Sequence, residues 1–243
     1  MTTRYDTHGN IAVITLDNPP INSLGLVTRE SLDAAITRAL ADSAIKAIVI
    51  TGANGVFTGG ADIREFGKPV AMQSPNLHEL IAGFERSGKP IVSAINGVCM
   101  GGGTEISLGC HYRVAAPGVM IGLPEVKLGL LPGAGGTQRL PRAAGVELAL
   151  QMITSGEPVK AEILAAAGAI DRIIGADFLA GVLAFAGEIA DQAPLPRVRD
   201  RQARVADPAT FFAAARNKVA AASKGYPAPL KCLETVEAAV LRE

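Results

Sequence analysis

Residues 97–140 read GVCMGGGTEISLGCHYRVAAPGVMIGLPEVKLGLLPGAGGTQRL. An apolar run before them, KPIVSAINGV (89–98), has the composition of a buried strand. Gly101, Gly102 and Gly103 follow it, and TEISLGCHYRVA opens as a helix. Glycine lets a chain turn sharply and lets a ligand approach backbone N–H groups. A helix start adds unpaired N–H donors and partial positive charge. Strand, glycines and helix together make a place for a developing negative oxygen. Glu105 stands in the first helical turn, and Glu125 follows 20 residues later in Leu-Pro-Glu, within an apolar segment. Two carboxylates in low-polarity surroundings beside oxyanion donors suit acid/base work on an activated carbonyl.

Working outward, IAVITLDN (11–18) and KAIVITGANG (46–55) read as buried strands. Residues 27–42 between them have helical spacing at Leu32, Ile36 and Leu40, with Thr28 as the expected N-cap. This β–α–β order predicts an α/β domain with a parallel sheet and helices on its faces. VFTGGADIREF (56–66) reads as a glycine-rich turn, 67–76 as a mobile loop and LHELIAGFERS (77–87) as a helix. VMIGL (119–123) is a short strand, and the segment after Gly133, Gly135 and Gly136 is helical with a break at Pro141. Residues 157–174 read as helix, turn and strand, and 178–192 as a helix. Residues 1–192 form the expected core. From 193 to 243 the chain reads as a Pro- and Arg-rich linker (193–208) and two helices, at about 209–223 and 229–241. A pocket wall is expected from loop residues around 62–80 and 95–100.

The 243 residues are 49% hydrophobic, enough for one domain with a large core. Lys+Arg and Asp+Glu are both 23, so no global charge favours nucleic acid or an anionic membrane. No apolar run is long enough to predict a membrane span. Cys99, Cys110 and Cys232 show no CxxC pattern and predict a reducing compartment, which is read as cytoplasmic. The three His and three Cys have no metal-ligand spacing, and no metal is expected. Residues 83–89 fit GxxxxGK, but Pro90 stands where a phosphate loop needs Ser or Thr. Gly133-Ala-Gly135-Gly136 is not GxGxxG, and no GxSxG occurs. Cys110 and His111 adjoin in sequence and are discounted as a nucleophile–base pair, because helical neighbours point apart.

GGGTE, the Glu–Glu spacing and LPEVKLGLLPGAGGTQRLPR resemble the enoyl-CoA hydratase/isomerase (crotonase) family. NPPINSL, TGANGVFTGGADI and SGEPVKAEILAAAGAIDRI are similar to it too, over roughly residues 5–190. Within the family the chain looks most like the N-terminal part of bifunctional β-oxidation members, in which a 3-hydroxyacyl-CoA dehydrogenase follows. The resemblance implies a ClpP/crotonase-like spiral of ββα units with a helical C-terminal region. It implies Ala61 and Gly102 as oxyanion-hole donors and Glu105 and Glu125 as catalytic carboxylates. Gly60, Asp62, Ile63 and Arg64, with Gly101, Pro132 and Gly133, are the implied substrate and coenzyme A contacts, Arg64 near the phosphates. The implied activity is hydration of 2-trans-enoyl-CoA to 3-hydroxyacyl-CoA, with Δ3,Δ2-isomerisation beside it. No cofactor is implied, coenzyme A being part of the substrate. The implied assembly is a homotrimer or hexamer, or a monomer as in the bifunctional members. It further implies that the chain stops about where those members continue with a segment closing the acyl pocket. An isomerase, or another acyl-CoA enzyme of the family, remains open, as does a non-catalytic acyl-CoA-binding module.

Overall fold

The computed structural model describes residues 2–242. A six-stranded sheet has the order β1-β2-β3-β5-β7-β10. Its strands are β1 (Thr3–His8), β2 (Ile11–Leu16), β3 (Ala47–Gly52), β5 (Ile91–Ile95), β7 (Tyr112–Ala115) and β10 (Arg172–Ile173). From β2 to β10 the pairing is parallel, and β1 joins the edge antiparallel to β2. A four-stranded sheet follows the order β4-β6-β8-β9, with β4 (Val56–Thr58), β6 (Val98–Met100), β8 (Met120–Gly122) and β9 (Val159–Lys160). Only β9 there is antiparallel to its neighbour.

The expected parallel α/β architecture is present, and the apolar runs show why. Ile48 and Ile50 of β3 enter one hydrophobic cluster while Ala47 and Val49 enter another on the opposite face. A strand covered on both sides needs apolar residues at every position. One face packs against α1 (Leu26–Ala41) and α2 (Leu77–Arg86). The other is covered by α7 (Phe178–Ile189), whose Val182, Phe185 and Ile189 close the second cluster.

Residues 89–98, expected as one strand, form two in different sheets. The chain breaks at Asn96-Gly97, where it passes so close to the Gly55 carbonyl that a Cβ on Gly97 would lie 1.8 Å from that oxygen and only glycine fits. The same break separates β3 from β4, within a segment expected to be a turn, and β7 from β8. Each pair then leads on to a helix: α2, α3 (Gly102–Gly109) or α4 (Gly136–Ala144). These three ββα turns are the expected spiral, and they bring the ends of β4, β6 and β8 side by side.

Helix α1 starts at Leu26 rather than being capped by Thr28. Thr28 is buried, and its hydroxyl accepts from the Asn18 amide. α5 (Val146–Ser155) and α6 (Ala161–Ala166) complete the middle of the chain. At the C-terminal end, Val198, Ala203, Phe212 of α8 (Pro208–Ala222) and Cys232, Leu233 and Val236 of α9 (Pro227–Leu241) belong to the first cluster. Cys99 and Cys110 are buried there as well. No helix among the described residues is long and apolar enough to cross a membrane.

Candidate active site

The site is built where β4 and β6 end. After β4 the chain turns through Gly59 and Gly60, and after β6 through Gly101 into α3. Gly60 (φ 100°) and Gly101 (φ 53°) both adopt backbone that side chains avoid. A Cβ on Gly60 would meet the Met100 carbonyl oxygen at 2.6 Å and the Gly102 nitrogen at 3.2 Å. A Cβ on Gly102 would lie 3.2 Å from the Ala61 nitrogen. The Ala61 and Gly102 N–H groups are therefore near neighbours. Gly102 is the first residue of α3, so its N–H has no acceptor within the helix. The Ala61 N–H has no acceptor among the described residues. The Gly60 carbonyl accepts from Leu24 (2.8 Å), and the Gly59 N–H donates to Ile21 (2.7 Å), so the turn is pinned.

Glu105 follows in the first turn of α3 and is 2% exposed. Its Oε1 accepts the N–H groups of Ala134 (2.7 Å) and Gly136 (2.8 Å). Both donors go to one oxygen, leaving Oε2 for another partner. Burial raises the Glu105 pKa, and the two N–H groups and Arg139 pull it back. Arg139 is itself held by buried Glu85, at 2.8 Å.

Glu125 sits in a 3-10 turn, Pro124–Leu128, that starts on a proline and stops at left-handed Gly129. The sequence places it after a strand; the turn aims its carboxyl back at α3. Its Oε1 is 2.9 Å from where a Cβ on Gly101 would stand, and its Oε2 is buried with no partner. Burial first, and the charge of Glu105 second, push its pKa up to about 8. The two carboxyls differ in kind. Glu105 accepts two N–H donors that favour its charged form against the burial that opposes it, while Glu125 has no such donor and holds its proton at neutral pH.

A cavity of about 630 Å³ opens over these groups. It brings together Ala61, Asp62, Gly102, Glu105, Glu125 and Gly133. Gly60, Ile63, Arg64, Gly101 and Pro132 are not on its lining. Ile63 is largely exposed, and Arg64 is forked in solvent onto Asp62, at 2.6 Å. Of the two expected wall segments, 62–80 lines the cavity but 95–100 does not; Ile95 and Cys99 are in the core. Its place is taken by Leu130, Leu131 and Ala134, and Arg29 reaches the lining from α1. The signal for 130–134 was present in the glycines that let Ala134 and Gly136 close on Glu105. Nothing local in the sequence marks Arg29. His111 is buried, and its Nδ1 accepts from the Ile91 N–H, away from the cavity lining. No group of His, Cys, Asp and Glu side chains among the described residues could hold a metal ion. A smaller cavity, about 360 Å³, lies on the far face of the larger sheet and lacks this pair of carboxyls.

The sequence profile of the enoyl-CoA hydratase/isomerase family matches residues 6–207. The chain belongs to that family. It is 42% identical over 237 residues to the peroxisomal bifunctional enzyme of Danio rerio, covering 96% of this chain and 32% of that protein. It is 39% identical over 247 residues to the glyoxysomal fatty acid beta-oxidation multifunctional protein MFP-a of Brassica napus, covering 95% of this chain and 34% of that one. The chain thus spans about a third of the length of these curated relatives. The solved enoyl-CoA hydratase from Bacillus anthracis has the same fold, with a TM-score of 0.73 at 27% identity, over 100% of this chain and 92% of that one. The expectation of a cytoplasmic location is corrected here: these relatives are peroxisomal and glyoxysomal by name. Cysteine usage reports only that thiols stay reduced, and a reducing environment does not specify which compartment supplies it.

Proposed function

We propose that this family member hydrates 2-trans-enoyl-CoA to 3-hydroxyacyl-CoA, and that Ala61, Gly102, Glu105 and Glu125 carry the reaction. The thioester carbonyl oxygen accepts the Ala61 and Gly102 N–H groups, which take up negative charge as an enolate forms. A water held on Glu105 attacks C3 and gives its proton to that carboxylate. Glu125 delivers its proton to C2, and the net change is addition of one water. The observation that carries this reading is the asymmetric pair: one carboxyl held by two N–H donors, its partner buried and bare, in one cavity beside two converging N–H groups.

Isomerisation of a 3-enoyl thioester needs one base to move a proton from C2 to C4. In its deprotonated form, populated as pH approaches 8, the unpartnered carboxyl of Glu125 serves as that base, which favours isomerisation as a second activity. The 3-hydroxy product is the substrate of a 3-hydroxyacyl-CoA dehydrogenase, and we place that enzyme, fused or separate, next in sequence. Replacing Glu105 with Gln separates the two activities. Hydration of crotonyl-CoA is expected to fall by about 10³-fold or more while 3-enoyl isomerisation persists. An equal fall in both contradicts the division of roles.

A further inference from the structure

Along the wall of the cavity from residue 61 to 79 every residue is half-buried or exposed. Phe66, Lys68, Pro69, Ala71 and Met72 line the cavity from this stretch, and Met72 is 70% exposed. Such a segment has almost no hydrophobic core of its own to hold its shape.

One side chain beneath it ties the stretch to the body of the fold. Arg29 of α1 is 3% exposed. Its Nε donates to the Pro75 carbonyl (2.8 Å), and its Nη2 to Val70 (3.0 Å) and Gln73 (3.5 Å). Nη1 donates to Leu24 (3.0 Å) and to Glu65 Oε2 (2.8 Å). Glu65 Oε1 in turn accepts the Leu26 N–H (2.8 Å), at the N-terminus of α1, where negative charge is favoured. One guanidinium therefore ties residues 65, 70, 73 and 75 to the body of the fold. The cavity-lining residues hang between those ties.

We propose that the Arg29–Glu65 pair is the specificity-determining clasp of this site, holding 65–75 as the wall against which the acyl chain packs. This rests on the functional reading above for the identity of the ligand. Arg29 is a positioning residue: its guanidinium hydrogen bonds go to Leu24, Glu65, Val70, Gln73 and Pro75 and to neither Glu105 nor Glu125, so the clasp acts on which chain fits rather than on proton transfer. Only a planar fork with five donors meets carbonyls spread over this arc, and a lysine ammonium, with three, cannot reproduce it.

The test measures kcat/KM for crotonyl-CoA and for 2-decenoyl-CoA in the wild type, Arg29→Met, Arg29→Lys and Glu65→Gln. A short acyl group barely reaches the wall, and a long one depends on it. The decenoyl/crotonyl ratio is expected to fall at least tenfold in Arg29→Met, mainly through KM. Arg29→Lys should fall with it, and Glu65→Gln should fall less. A loss of folded enzyme lowers both substrates alike and leaves the ratio unchanged. In a variant whose circular dichroism melt shows it folded, a ratio within twofold of wild type, or full rescue by lysine, overturns the clasp. Hydrogen exchange reads the same claim without turnover: amides 66–75 should exchange faster in Arg29→Met and Glu65→Gln while those of α3 keep their rates. If the wild type hydrates no enoyl-CoA, the functional reading fails, and unchanged exchange at 66–75 then rejects the clasp separately.

Discussion

Replacing Gly101 with alanine tests how the site is assembled, because that one position carries two constraints. Its backbone (φ 53°, ψ −123°) is a region that residues with a Cβ rarely enter, and holding it there costs about 1–3 kcal/mol. The added methyl would also stand 2.9 Å from Glu125 Oε1, so the carboxyl must retreat by several tenths of an ångström. The strain predicts a lower Tm, by roughly 2–4 °C per kcal/mol for a chain of this size. The displacement predicts a larger effect on rate. A catalytic group moved by about 1 Å can cost on the order of 10²-fold, and part of that loss is expected in kcat with little change in KM. Thermal melts followed by circular dichroism give the first number, and loss of the enoyl-thioester absorbance of crotonyl-CoA gives the second. A variant with wild-type Tm and wild-type kcat would refute the reasoning, because neither strain nor contact would then exist at Gly101.

The pH dependence follows from Glu125. Its folded pKa, about 8, is raised above its ordinary value of 4.5, so the contribution of its protonated form to stability is complete below pH 4.5 and lost as pH rises towards 8. The wild-type Tm should therefore drop relative to Glu125→Gln between pH 6 and 9; parallel melting curves over that range contradict the assignment. Hydration should decline on the alkaline side near pH 8 as the C2 proton donor is lost, and a rate flat to pH 9.5 speaks against Glu125 in that role. Thr104→Val removes a buried hydroxyl that donates to the Gly122 carbonyl at 2.8 Å. Since that carbonyl also accepts the Gly101 N–H, it is not orphaned, and a cost of about 1 kcal/mol is expected in chemical denaturation. A loss above about 3 kcal/mol would show that the hydroxyl holds more than this contact.

What could be read from the residues alone follows from what each pattern encodes. The runs at 11–16 and 47–52 are apolar on both faces, and they are central strands. β1 carries no clear strand signal because it is an edge strand of mixed polarity, TRYDTH, with Tyr5 packed inward and its neighbours in solvent. The break between β5 and β6 was hidden because both halves are apolar; only the clash a side chain at Gly97 would make with Gly55 reveals it. The glycine cluster and helix start beside Glu105 and Glu125 are local signals, whereas Ala61 and Gly102 as the two donors are named only through the family resemblance. Arg64, local and basic, is the residue the resemblance places at the phosphates, and its exposed guanidinium is forked on Asp62 two residues away. Arg29 was invisible for the opposite reason: its partners lie 36 to 46 residues along the chain, and an arginine in an amphipathic helix carries no mark of that.

The most direct measurement of the central claim is the rate at which crotonyl-CoA loses its enoyl absorbance, for the wild type and for Glu125→Gln at neutral pH. Glutamine keeps the shape of the side chain and removes its acidic proton. The account predicts turnover by the wild type and a fall of several orders of magnitude in the variant, with the CoA thioester still bound. Turnover by Glu125→Gln within tenfold of wild type would contradict it.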